Sequence, residues 1–192
     1  MQYMFDGANS FNQNLNGWDV SRTTNFYGMF RSAVSFNGDI DDWNTSRVGN
    51  VGSMFQDAVR YNMPLGWDLS SVTSVSYSSS FSLCETGSSS STSSCSMFYR
   101  ATAFNQPLSW RMPKVTSLNY LFYGATDFDQ PLDLDTPAVI SMRFMFYEAV
   151  KFNQSLNGWD VSRTTDMQQM FLAMSQCMQA VTAMASSSSQ NQ

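Results

Sequence analysis

Apolar and polar positions in this chain recur with a period near 25, longer than any helix or strand period. Aligned on one Phe per unit, the register is Phe5, Phe30, Phe55, Phe98, Phe122, Phe146 and Phe171, in steps of 25, 25, 43, 24, 24 and 25. Ala8, Ala33, Ala58, Ala101, Ala125 and Ala149 stand three places further on, and a second aromatic follows at Phe11, Phe36, Tyr61, Phe104, Phe128 and Phe152. Next come Asn12, Asn37, Asn62, Asn105, Asp129 and Asn153, then a Leu or Ile, then Trp18, Trp43, Trp67, Trp110, Leu134 and Trp159. One stretch is written twice: FNQNLNGWDVSRTT at 11–24 returns at 152–165 with a single change, Asn14 against Ser155. A unit of this length cannot bury its own apolar face, so the repeats are expected to stack as a solenoid.

Two elements per turn follow from the local spacing. Met4, Ala8 and Phe11 lie at i, i+4 and i+7, which puts them on one helical face and predicts a short helix or helical turn over M-F-x-x-A-x-x-F. The closing D-V-S-x-V/T-T box, as at Val20 to Phe26 and Val48 to Val51, predicts a strand of three or four residues. Repetition at constant period would make those strands parallel. The expectation is therefore an α/β repeat solenoid of about seven turns, occupying 1–171 as a single domain. Like positions would then stack about 4.8 Å apart, giving a rod on the order of 30 Å long. In that arrangement Asn12, Asn37, Asn62, Asn105 and Asn153 form a ladder whose side chains bond the backbone of adjacent turns.

The 43-residue step contains an insertion over 77–95, YSSSFSLCETGSSSSTSSC, too polar to pack. Cys84 and Cys95 flank its polar part, and a disulfide between them would contribute roughly 2–3 kcal/mol in the chain-entropy model; the other reading is two free thiols. Cys177 has no obvious partner. Past Phe171 the repeat decays into an Ala-, Met- and Gln-rich stretch that predicts a capping helix over 172–185 and a disordered tail over 186–192.

Composition narrows the chemistry. Only 13% of residues are charged and the net charge is −5, with no basic cluster, which argues against nucleic acid and anionic membranes. No apolar run is long enough to span a bilayer. No secretory signal is visible, and the repeat begins so close to Met1 that the chain reads as part of a longer or processed precursor. There is no histidine, which removes Ser-His and Cys-His nucleophile pairs and most zinc sites. Asp19, Asp68, Asp135 and Asp160 share a post-Trp column, and Asp39, Asp41 and Asp42 cluster beside Trp43. None sits in a calcium-loop motif, and Asp before Ser at this position is ordinary turn chemistry.

The full pattern, M-F-x-x-A-x-x-F-N-Q-x-L-x-x-W-D-V-S-x-V-T-x-M, resembles the surface-protein repeats known as BspA-like or mycoplasma protein of unknown function repeats. The resemblance covers nearly all of 1–171 apart from the insertion. It implies a leucine-rich-repeat-like fold and a cell-surface protein of adhesive type, and it supplies no catalytic residues. The W-D-V-S box departs from the pattern at Arg111-Met112-Pro113 and at Leu134-Asp135-Thr136-Pro137.

The expected function is a non-enzymatic extracellular or cell-surface structural or adhesion module. It would bind protein or carbohydrate, with no cofactor and no metal, and could associate end to end as a filament. The alternative is a scaffold or linker subunit inside an intracellular or organellar complex. Tyr99, Tyr123 and Tyr147 occupy one column in three consecutive turns, either as a partner-binding stripe or as a cover over the seams between turns. Asn44, in Asn44-Thr45-Ser46, is the better glycosylation acceptor, since Asn153 belongs to the ladder.

Overall fold

The computed structural model describes residues 1–76 and 96–174. Cys84, Cys95, Cys177, the tail over 186–192 and the part of the expected capping helix beyond Met174 lie outside those residues.

Backbone hydrogen bonds set the architecture, and they run two ways. Around the first Met-Phe pair, the N–H groups of Tyr3, Phe5 and Gly7 donate to the carbonyls of Tyr27, Met29 and Arg31 in the next coil, at 2.7–3.0 Å. Between them, Asp6 and Ala8 donate to carbonyls three residues back, Tyr3 and Phe5. The same alternation recurs at Phe30 to Met54 and Ala33 to Phe30, and at Phe122 to Met145 and Ala125 to Phe122. Each coil is thus a chain of tight turns laid on its neighbour.

This overturns the expected α/β architecture. Among the described residues there is no helix, and the only strands are β1, Leu108–Arg111, and β2, Leu132–Asp135, paired in parallel with Leu108 opposite Leu132. An α-helix needs each N–H directed to the carbonyl four residues back, whereas here every second one crosses to another coil. Left-handed residues also recur four apart, as at Ser53 and Asp57 (φ 53° and 56°) and at Phe144 and Glu148 (φ 53° and 57°), and each breaks a right-handed helix. The i, i+4, i+7 spacing of Met, Ala and Phe reflects the way successive turns return side chains to the interior. The expected strands fail for a related reason. In the D-V-S boxes Thr23, Val48, Val72 and Thr164 donate three residues back, so the segment closes as a turn. Only single bridges remain there: Asn25–Asn50–Ser74 and Ser117–Ser141–Asp166.

The core is two files of rings. Phe5, Phe30, Phe55, Phe98, Phe122, Phe146 and Phe171 stack with centroids 5.4–5.9 Å apart. Alongside, Phe11, Phe36, Tyr61, Phe104, Phe128 and Phe152 stack at 5.6–6.2 Å. Within each coil the two rings lie closer still, as for Phe30 and Phe36 at 3.9 Å. Ala33, Ala58, Ala101, Ala125 and Ala149 are fully buried beside them. Trp43 stacks on Trp67 at 6.1 Å, and the indole N–H groups of Trp43, Trp67 and Trp110 donate to the carbonyls of Leu15, Ile40 and Leu65 in the preceding coil. The 43-residue step leaves the stacking unaltered: Phe55 N–H bonds Met97 O at 2.9 Å and Phe55 lies 5.7 Å from Phe98.

The asparagine column bonds from coil to coil. The N–H of Asn37 donates to Asn12 Oδ1, Asn62 to Asn37, Asn105 to Asn62, Asp129 to Asn105 and Asn153 to Asp129, all at 2.8–2.9 Å. Asn153 Oδ1 is buried and without a partner among the described residues. Among these residues no helix is long and apolar enough to cross a membrane.

Candidate functional site

A second cluster of rings lies apart from the core, on the face formed by the positions just before Met and just after the core Phe. Its first file is Tyr99, Tyr123 and Tyr147, stacked at 4.7 and 4.6 Å with planes 13° and 7° apart. Tyr99 is buried, whereas Tyr123 and Tyr147 are half-buried. Beside it runs a second file, Tyr120 on Phe144, at 5.0 Å. Reading the sequence for the column after the core Phe missed this pair. The signal was present, because Tyr120 and Phe144 each stand two residues before the core Phe of consecutive coils.

The backbone at Tyr120 and Phe144 is left-handed, with φ of 60° and 53°. Gly28 fills the matching position of an earlier coil, at φ 61°. An L-residue in this conformation costs about 1–2 kcal/mol relative to the right-handed one. Burial of each ring offsets that cost, since fully burying a large apolar side chain contributes about 1.5–3 kcal/mol. Between the files lies a cavity of about 150 Å³ lined by Tyr120, Tyr123, Phe144, Tyr147 and Gln169. Two guanidinium groups border the cluster: Arg100 lies 5.2 Å from the Tyr99 ring centre and Arg143 5.6 Å from that of Phe144. Arg143 also faces Asp166 at 3.7 Å.

Because the rings stack flat, their faces are occupied by one another. A guest would meet ring edges, phenol hydroxyls and the cavity between the files. Nearer the amino end, the same face is polar: Arg31 makes a paired contact with Asp6 at 2.5 and 2.8 Å and lies over the Tyr3 ring at 5.1 Å.

The other singled-out residues sit in plain structural roles. Asp19, Asp68 and Asp160 each accept the N–H of the Ser two residues on, and hydrogen bonds from that Ser hold their carboxyls below the usual range. Asp135 faces Arg111 at 3.2 Å. Asp39 and Asp42 accept from the Asn16 amide, and Asp41 accepts from the Gly66 N–H, tying neighbouring coils together. Among the described residues no three potential ligands gather as a metal site. Asn44 is exposed, its Oδ1 accepting from the Ser46 hydroxyl at 2.8 Å.

The family model described as "Mycoplasma protein of unknown function, DUF285" matches residues 1–93 and again 78–184. The chain belongs to this family. Neither the curated proteins nor the solved structures give a match. In DUF285 terms, the aromatic face falls wholly within the second matched stretch, and each match spans several coils.

Proposed function

We propose that this DUF285 chain is a non-enzymatic structural or adhesion module at a cell surface or outside the cell, whose aromatic face engages a partner. The observation that carries the reading is the ring cluster of Tyr99, Tyr120, Tyr123, Phe144 and Tyr147, set apart from the core and half-open around its cavity. Aromatic side chains that present edges and hydroxyls on a rigid support are enriched at protein interfaces. Since their faces are occupied by stacking, the arrangement favours a protein partner over a sugar laid flat on a ring. The regular repeat and the resemblance to adhesive surface proteins support the placement outside the cell.

The test compares beads coated with the protein and with Tyr123→Ala or Tyr147→Ala, measuring their retention on intact cells of the source organism. The reading expects the variants to stay folded by thermal denaturation and to lose most of the retention. Retention equal to that of the unaltered protein would remove the face from the function. Reduced Cys84 and Cys95 in protein isolated from its cells, without glycan at Asn44, would favour the intracellular scaffold instead.

A further inference from the structure

The aromatic face holds four of the chain's eight tyrosines, and one of them touches the other three. Tyr123 lies 4.7 Å from Tyr99, 4.6 Å from Tyr147 and 5.9 Å from Tyr120, centre to centre. The two flat stacks put the same ring edges of successive coils side by side. The backbone holds them there: Arg100 N–H donates to Tyr123 O and Gly124 N–H to Tyr147 O, both at 2.7 Å, so each tyrosine is clamped to its neighbour one coil away. Tyr123 and Tyr147 are half-buried, which leaves their edges within reach of solvent. Tyr61 is in the opposite situation, fully buried in the core among Phe36, Phe55 and Phe104.

We propose that Tyr99, Tyr123 and Tyr147 form an oxidative cross-linking site, in which a peroxide-driven one-electron oxidant couples neighbouring tyrosines of adjacent coils into dityrosine. The reaction consumes one hydrogen peroxide for each link. Each of two phenols loses a hydrogen atom from its hydroxyl, one electron and one proton, and the peroxide is reduced to two waters. The two phenoxyl radicals join through the ring carbons ortho to oxygen, forming one carbon–carbon bond. The hydrogens on those carbons then move to the oxygens and restore both phenols. Stacking favours the step by proximity. A radical formed at the more accessible ring already has its coupling partner in contact, so the second-order encounter that limits free tyrosine becomes intramolecular. The result is a covalent tie added to the hydrogen bonds, ring contacts and ion pairs, such as Lys151 with Asp127 at 2.7 Å, that already hold neighbouring coils together. The inference is independent of whether the face also binds a partner.

The experiment treats the dilute, full-length protein with hydrogen peroxide and a haem peroxidase. Dityrosine fluorescence is read on the monomer fraction, and the linked peptides are mapped by mass spectrometry. The expected result is a monomer lighter by two hydrogens per link, with Tyr123 joined to Tyr147 or Tyr99. Tyr123→Phe keeps the ring stack but removes every tyrosine–tyrosine contact that Tyr123 makes, and should abolish these links. Tyr61→Phe should leave their yield unchanged. Coupling found only between separate molecules, links within the cluster that survive Tyr123→Phe, or no coupling at Tyr123 would each overturn the proposal.

Discussion

Tyr61 is the one hydroxylated ring in a file of phenylalanines. It stacks 5.6 Å from Phe36 and 6.2 Å from Phe104, and rests 4.0 Å from Phe55. Its hydroxyl is buried and finds no hydrogen-bond partner among the described residues. A buried hydroxyl left unpaired costs about 1–3 kcal/mol, and Tyr61→Phe removes it while keeping the ring. A small void where the oxygen stood offsets part of the gain, leaving about 1 kcal/mol of added stability. For a chain of this size that raises the melting midpoint by about 2–4 °C. The pH dependence adds a second signature. Burial, reinforced by Asp39 and Asp41, pushes the phenol well above its ordinary range. Unfolded Tyr61 therefore loses its proton near pH 10 while folded Tyr61 keeps it, and the native state loses stability as pH rises beyond that point. The advantage of Tyr61→Phe should widen there. Paired thermal melts at neutral and alkaline pH provide the assay. A lower midpoint for the variant at neutral pH would refute the reasoning, because it would mean that the hydroxyl is bonded.

Four further outcomes follow from contacts at Gly38, Asn62 and Asp57. A Cβ on Gly38 would fall 2.1 Å from the carbonyl oxygen of Gln13, so Gly38→Ala must push two coils apart and should cost about 1–3 kcal/mol in denaturant unfolding. Asn62→Ala leaves the Asn105 N–H without its acceptor and should cost about 1–3 kcal/mol. Asn62→Asp keeps the acceptor, as Asp129 does in the same column, and should stay within about 1 kcal/mol of the original. Asp57 is half-buried, and burial raises its carboxyl above the usual range against the opposing pull of Gln56, Arg100 and Arg31. Ionised Asp57 therefore disfavours folding, a penalty absent in acid that grows as pH rises through the carboxylate range. Asp57→Asn, which still suits the left-handed backbone there (φ 56°), should be more stable at neutral pH and equal below that range in pH-dependent melts.

The repeat register was legible because each coil uses the same side chain for the same job. The two Phe files and the asparagine column can be read from spacing alone, and so can the change at 77–95. The backbone was not legible, and the reason is physical. A helical face and a run of turns both return residues at the spacing of Met29, Ala33 and Phe36, all fully buried, to the interior, so side-chain periodicity cannot distinguish them. The distinguishing feature is the left-handed residue four places from the next, and only some coils advertise it with glycine, as at Gly28 and Gly124. Elsewhere Ser53, Tyr120 and Phe144 hold the same conformation without a compositional hint. That is also why the second file of the aromatic face does not stand out in the sequence. Tyr123 and Tyr147 sit in a column that spacing exposes, whereas Tyr120 and Phe144 occupy positions where a turn residue is the usual expectation.

The junction between Phe55 and Phe98 has a separate consequence. Its ring contact and hydrogen bonds match those between coils joined directly, although 43 positions separate the two residues. A connection of ordinary length is therefore not needed for the fit at that level, and lengthening the connection changes closure entropy only logarithmically. A chain cut between Ser76 and Ser96 would yield two fragments with matching surfaces, suited to reassembly from separate genes or to carrying a foreign domain spliced in between.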